Sequence, residues 1–140
     1  MNQLKDLVEY SVLGLLLGLS VWTVAIAIGR FSHYRRVDVA DWNKRVELEA
    51  DLTEGLTTIA TVAANSPYVG LLGTVLGIMF TFQTLGATGD MDVKSIMTGL
   101  ALALKATAAG LLVAIPCVAL NNALRRRVKV LLAEWDARHG

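Results

Sequence analysis

Across residues 10–29, 55–89 and 95–124 of this 140-residue chain there is no aspartate, glutamate or histidine. Hydroxyls in such stretches can pass a proton along hydrogen bonds, but they are too weakly acidic to hold one as a stable intermediate near neutral pH. The single cysteine, Cys117, excludes a disulfide framework and reads as a small reduced core residue. His33 and His139 are isolated, so no metal-ligand set is visible. No nucleophile–base pair stands out, and nothing argues for an enzyme. Only two prolines occur, Pro67 and Pro116, each within an apolar run.

What the chain does have is apolar length. Hydrophobic residues make up 54% of it and the mean hydropathy is +0.53, too high for an ordinary soluble domain of this size. About 20 apolar residues cross a bilayer core, and each of the three runs is long enough. The first competes with a secretory signal, since Ala25-Ile26-Ala27 mimics a cleavage site. A net acidic flank, the length of the run, and the stop-transfer-like Arg30, Arg35 and Arg36 argue for a span.

The second and third runs carry stripes of small or hydroxylated residues at spacings of three and four. They are Ala63, Ser66, Gly70, Gly73, Thr74, Gly77, Thr81 and Thr84, then Gly99, Ala103, Ala106, Thr107, Gly110 and Ala114. Those spacings place each set on one helical face, and a smooth face lets membrane helices approach closely. Gly70, Gly73, Gly77 and Gly110 are the expected packing positions, and the stripes are expected to hold copies of the chain together. Gly14-xxx-Gly18 in the first run is either a weak packing motif or chance spacing. Pro67 is expected to bend or restart its helix, and Pro116 to kink the third.

The charged segment between the first two spans reads as an amphipathic helix. Val39, Trp42 and Val46 share one face; Leu48, Leu52, Leu56 and Ile59 share another. Asp41 is placed to pair with Lys44 and Arg45, and Arg45 with Glu49. The segment is a solvated helix with one packed face, a docking surface, or both. Unbroken helix from Val39 to Leu85 would be roughly 70 Å long and would project into the cytoplasm. Leu124, Val128, Leu131 and Trp135 continue a helical face past the third span, so the tail can pack back on this segment.

The expected organisation is a periplasmic N-terminus and span 1 (1–29), a cytoplasmic helical region (30–63), span 2 (64–85) and a short periplasmic loop (86–94). Span 3 (95–122) and a cytoplasmic C-terminal helix (123–140) follow. Basic residues set the orientation. Arg30, Arg35, Arg36, Lys44, Arg45, Arg125, Arg126, Arg127 and Lys129 fall on one side. Lys5 and Lys94, with Asp6, Glu9, Asp90 and Asp92, fall on the other. The fold class is thus an all-α membrane protein with three transmembrane helices, the second and third extending into the cytoplasm. Gly70 to Gly77 superficially suggests a phosphate loop, but it lacks the lysine such a loop needs. No cofactor, metal or nucleic-acid partner is expected.

GLLGTVLGIMFTF at 70–82 together with LKATAAGLLVAIP at 104–116 resembles the paired signature of the ExbB/TolQ/MotA family of inner-membrane proton-channel motor proteins. The short ExbB branch, which begins directly with the first span, is the most similar. The resemblance implies a homopentamer whose second and third spans surround a pore holding two copies of a single-span ExbD-like subunit. It also implies that TonB passes the energy of proton flow to outer-membrane receptors for iron chelates or vitamin B12. The family's two pore threonines fall on Thr74 and Thr107. The bland alternative is that each threonine bonds back to its own helix.

The chain departs from the family pattern where many ExbB proteins carry a glutamate. Leu102 stands there, and Lys105, three residues on, is an intramembrane charge those relatives lack. Lys105 and Thr107 lie about 200° apart around a helix, so they face different ways. Lys105 either snorkels to lipid phosphate, contacts a subunit, or belongs to the conducting machinery. The competing functional readings are a TolQ-like envelope motor and a non-conducting oligomeric scaffold that holds partner helices.

Overall fold

A computed structural model of the protein describes residues 2–89 and 92–139, without the side chains of Asn2, Leu4 and Lys5. Helix α1 spans Asn2–Arg36, a 3-10 turn spans Val39–Asp41, α2 spans Arg45–Leu52, α3 spans Leu56–Thr88 and α4 spans Val93–His139. Three helices are long and apolar enough to cross a membrane: Asp6–Arg36, Leu56–Thr88 and Val93–His139, with mean hydropathies of 2.3, 1.6 and 1.9. The protein is therefore an all-helical membrane protein. Of the expected 86–94 loop, Asp90 and Met91 lie outside the described residues, as does the Lys5 side chain. The connection is shorter than expected, because α3 runs on to Thr88 and α4 starts at Val93.

The segment after α1 is not one continuous helix, which corrects the expectation of a single amphipathic helix leading into the second span. Asp38 accepts a hydrogen bond from the Ala40 amide and starts the 3-10 turn, and Trp42 leaves it in extended conformation. Helix α2 then ends at Leu52, and Gly55 turns the chain with φ of 82°, a left-handed geometry that a side chain would strain. Because the 3-10 turn and α2 are separate, Val39 is buried while Val46 is 78% exposed. The Leu48, Leu52, Leu56 and Ile59 face is buried throughout. Helix α3 passes through Pro67 and α4 through Pro116 without interruption, so Pro67 does not restart its helix.

The larger core lies at the arginine-rich end. Tyr34 of α1, Leu48 and Leu52 of α2, Leu56 and Ile59 of α3, and Leu124, Val128 and Leu131 of α4 form one apolar cluster. The tail of α4 thus packs back on the charged segment, and Trp135 Nε1 donates to the Trp42 carbonyl at 2.9 Å. Arg45 pairs with Glu49 at 3.3 Å and with Asp136 at 3.1 Å. Among the described residues Asp41 has no ion pair, because the backbone breaks before Lys44 and Arg45 join a helix.

The end of α2 is capped from α1. Arg30 donates to the Asp51 and Leu52 carbonyls at 2.5 and 3.2 Å, the Tyr34 hydroxyl donates to the Leu52 carbonyl, and His33 meets the Asp51 carboxylate at 2.6 Å. These contacts satisfy carbonyls that a helix C-terminus leaves open.

Candidate functional site

The site lies along the seam where α3 and α4 run antiparallel. A Cβ built at Gly70 would sit 2.6 Å from the Ala106 carbonyl oxygen and 3.0 Å from Gly110 Cα. One built at Gly110 would sit 2.6 Å from the Ser66 carbonyl oxygen. Gly77 faces Ala103 and Gly99 faces Thr81 at similarly short range. The small-residue stripes are therefore used within the chain, to bring two backbones together, rather than between copies as expected. Gly14 and Gly18 have nothing within 4 Å, so α1 does not use that motif in contacts within the chain.

The close backbones bring Thr74 and Thr107 into hydrogen-bond contact through their Oγ1 atoms. Thr74 Oγ1 also reaches the Ala103 carbonyl at 2.9 Å and, less closely, the Gly70 carbonyl of its own turn at 3.3 Å. Bonding back to its own helix is thus one of three contacts for Thr74. By contrast, the described bonds of Ser66 and Thr81 go back to their own helix, at 2.6 and 2.8 Å.

Helix α1 covers one flank of this seam. Val12 Cγ1 would lie 3.0 Å from a Cβ on Gly73, and Val8 and Glu9 line a narrow cleft with Gly73, Gly77, Leu102, Ala103 and Ala106. Leu102 and Thr107 are five residues apart, about 140° around the helix. Thr107, half-buried, therefore opens on the flank that α1 leaves uncovered, while Thr74 beneath it is 7% exposed. Lys105 is exposed and points to neither the seam nor Thr107.

Proton counting defines what the pair can do. Each hydroxyl has one proton to donate and lone pairs that accept. If Thr74 donates to Ala103, Thr107 donates to Thr74 and offers a lone pair outward. If Thr74 donates to Thr107 instead, the Thr107 proton is free to be donated outward. The same two side chains can thus meet either a neutral carboxylic acid or a carboxylate. Among the described residues no titrating side chain hydrogen-bonds to Thr74 or Thr107, and no cluster of metal-ligating side chains occurs.

Two features escaped sequence reasoning. Glu9 sits immediately before the first uncharged stretch, yet α1 begins at Asn2 and carries Glu9 along the cleft beside Gly77. The signal was the helical pattern continuing past the first charge. Thr23 is fully buried in α1, and its hydroxyl lies beside the Cys117 thiol without meeting the geometry of a hydrogen bond. It lies among apolar residues at no motif spacing, so nothing in the sequence singled it out.

Comparison with known proteins agrees with this architecture. Residues 40–137 match the model of the MotA/TolQ/ExbB proton channel family. The chain is 49% identical over 140 residues to the biopolymer transport protein ExbB of Aquifex aeolicus, covering 100% of this chain and 95% of that one. It is 48% identical over 136 residues to a putative biopolymer transport protein, ExbB-like 2, of Helicobacter pylori, covering 97% and 91%. The Tol-Pal system protein TolQ of Pseudomonas aeruginosa is 41% identical over 87 residues, covering 62% and 38%. By the extent of the family match and the full-length likeness to these relatives, the chain belongs to the MotA/TolQ/ExbB proton channel family.

Proposed function

We propose that this protein is the ring-forming, inner-membrane subunit of a motor driven by the proton-motive force. In this reading five copies surround a pore, and two copies of an ExbD-like single-span subunit occupy it. TonB carries the energy to outer-membrane receptors for iron chelates or vitamin B12. The N-terminus is periplasmic and the C-terminus cytoplasmic, with the far ends of α3 and α4 extending into the cytoplasm. The full-length likeness to proteins named ExbB favours the TonB system over the Tol system.

The observation that carries the mechanism is the Thr74–Thr107 contact, open on the flank that α1 leaves bare. A pore-facing hydroxyl pair without its own titrating group needs an acid from elsewhere. Ion coupling in membranes normally uses an ionisable group. An aspartate on the partner helix, facing Thr107, would supply it. Thr107 would accept from the neutral acid and donate to the charged one, with Thr74 and the Ala103 carbonyl completing the chain. In this reading Lys105, which faces away from this pair, is not the proton carrier.

The test is a proton-flux measurement in liposomes with an imposed gradient. The chain alone should show no flux above background, and the chain with its single-span partner should conduct. Changing the partner's aspartate to asparagine should abolish conduction as fully as omitting the partner. A robust current from this chain alone would refute the assignment.

A further inference from the structure

Two charges on the helices that form and flank the seam lie at one depth in the fold. Glu9 of α1 is half-buried and Lys105 of α4 is exposed; among the described residues, neither has an ion pair or hydrogen bond. Glu9 shares its cleft with Gly77 and Ala103. Lys105 follows Ala103 by two residues, about 3 Å further along the axis. The distance to the arginine layer agrees. Arg30 stacks over Tyr34 at 5.1 Å, and Arg125 is near enough to act on the same ring. Glu9 lies 21 residues from Arg30, and Lys105 lies 20 from Arg125, so each stands about 30 Å above that layer. That is the thickness of a hydrocarbon core, which places both at its outer edge.

Two lone charges of opposite sign at that depth are costly apart and offset one another together. Within the chain they do not pair: Lys105 lies one turn on from Leu102, which lines the cleft of Glu9, yet among the described residues no ion pair joins the two. Ala101 and Ala108, exposed on either side of Lys105, leave room for another helix to come close. A contact between the Glu9 surface of one copy and the Lys105 surface of the next joins unlike surfaces, the kind of contact from which rings are built when the rotation between copies closes.

We propose that Glu9 of one copy pairs with Lys105 of a neighbouring copy, forming a belt of ion pairs at the outer edge of the ring. The inference rests on the reading that the chain forms a ring. A water-soluble carbodiimide joins a carboxylate directly to an amine in contact, so the wild-type complex in membranes should yield covalent multimers containing a Glu9–Lys105 linked peptide. Glu9→Gln and Lys105→Met, each alone, should lose that link. Co-expressed with different tags, these two variants should regain it between differently tagged chains, because each supplies the group the other lacks. Lys105→Glu should weaken assembly, and adding Glu9→Lys should restore it. An intact oligomer without the linked peptide overturns the pair and leaves the motor reading standing. A link seen in wild type but never between co-expressed variants overturns it too, since the pair would then lie within one chain. A chain that native mass spectrometry finds monomeric overturns the ring itself.

Discussion

Gly70 and Gly110 face each other across the α3–α4 seam so closely that a Cβ on either would stand 3.0 Å from the other's Cα. The nearer obstacles are backbone carbonyl oxygens at 2.6 Å, which cannot swing aside as a side-chain tip can. Gly70→Ala and Gly110→Ala should each force the helices apart and cost about 1–3 kcal/mol, the usual range for overpacking. Gly18→Ala, with nothing within 4 Å, is the control and should leave the fold of the chain unchanged. Thermal unfolding in detergent reads the difference. Equal melting temperatures for all three variants would show that the seam is looser than described.

Thr74→Val keeps the shape of the side chain and removes the hydroxyl that meets Ala103 and Thr107. The lost hydrogen bond should cost about 1 kcal/mol of stability. Energised uptake of a ferric chelate should fall much further, while assembly persists. Thr74→Ser, which retains the hydroxyl, should recover most of the uptake. Full uptake by Thr74→Val would remove the hydroxyl pair from the mechanism.

At the arginine-rich end, two changes separate packing from surface charge. Leu124 is fully buried among residues of all four helices, so Leu124→Ala should cost about 2–5 kcal/mol. Arg45 pairs with Glu49 and Asp136 through side chains that are about half exposed, so Arg45→Ala should cost under about 1 kcal/mol. Chemical denaturation that ranks them in the opposite order would argue against this core.

Arg125, Arg126 and Arg127 are all exposed, and the one described side-chain bond among them runs from Arg125 to Asn121 at 3.1 Å. Their expected work is to fix orientation against an anionic leaflet. Replacing all three with glutamate should reduce correct insertion, measured by protease protection of a C-terminal tag. Normal insertion with loss of energised uptake alone would instead assign them to contact with a working partner.

The periodic features were legible in the sequence. Every stripe position from Ala63 to Thr81 is buried, and so are Gly99, Ala103, Ala106, Gly110 and Ala114, because spacings of three and four mark a face wherever the helix packs. What such a face packs on was not legible. A smooth stripe suits a second copy as well as the other helix of the same chain, and only the geometry assigns it to α3 against α4. The break at Gly55 was hidden because the apolar pattern of Leu52, Leu56 and Ile59 runs straight through it. Glu9 was hidden by counting only uncharged residues, whereas a helix does not stop at its first charge.

Helix α4 is one 47-residue rod, about 70 Å long, passing through Pro116 unbroken. Thr107 and Leu124 ride on it 17 residues apart, a lever arm of about 26 Å. With its lower end clamped by Leu124, Leu131 and the Trp135–Trp42 bond, its stiffness decides how torque is borne. A tilt of only ~5° about that clamp would carry the Thr107 level sideways by ~2 Å, enough to break a hydrogen bond. Pro116 removes one rung of the backbone ladder between lever tip and clamp. If the proposed motor reading holds, restoring that rung with Pro116→Ala should alter how much work each transferred proton delivers.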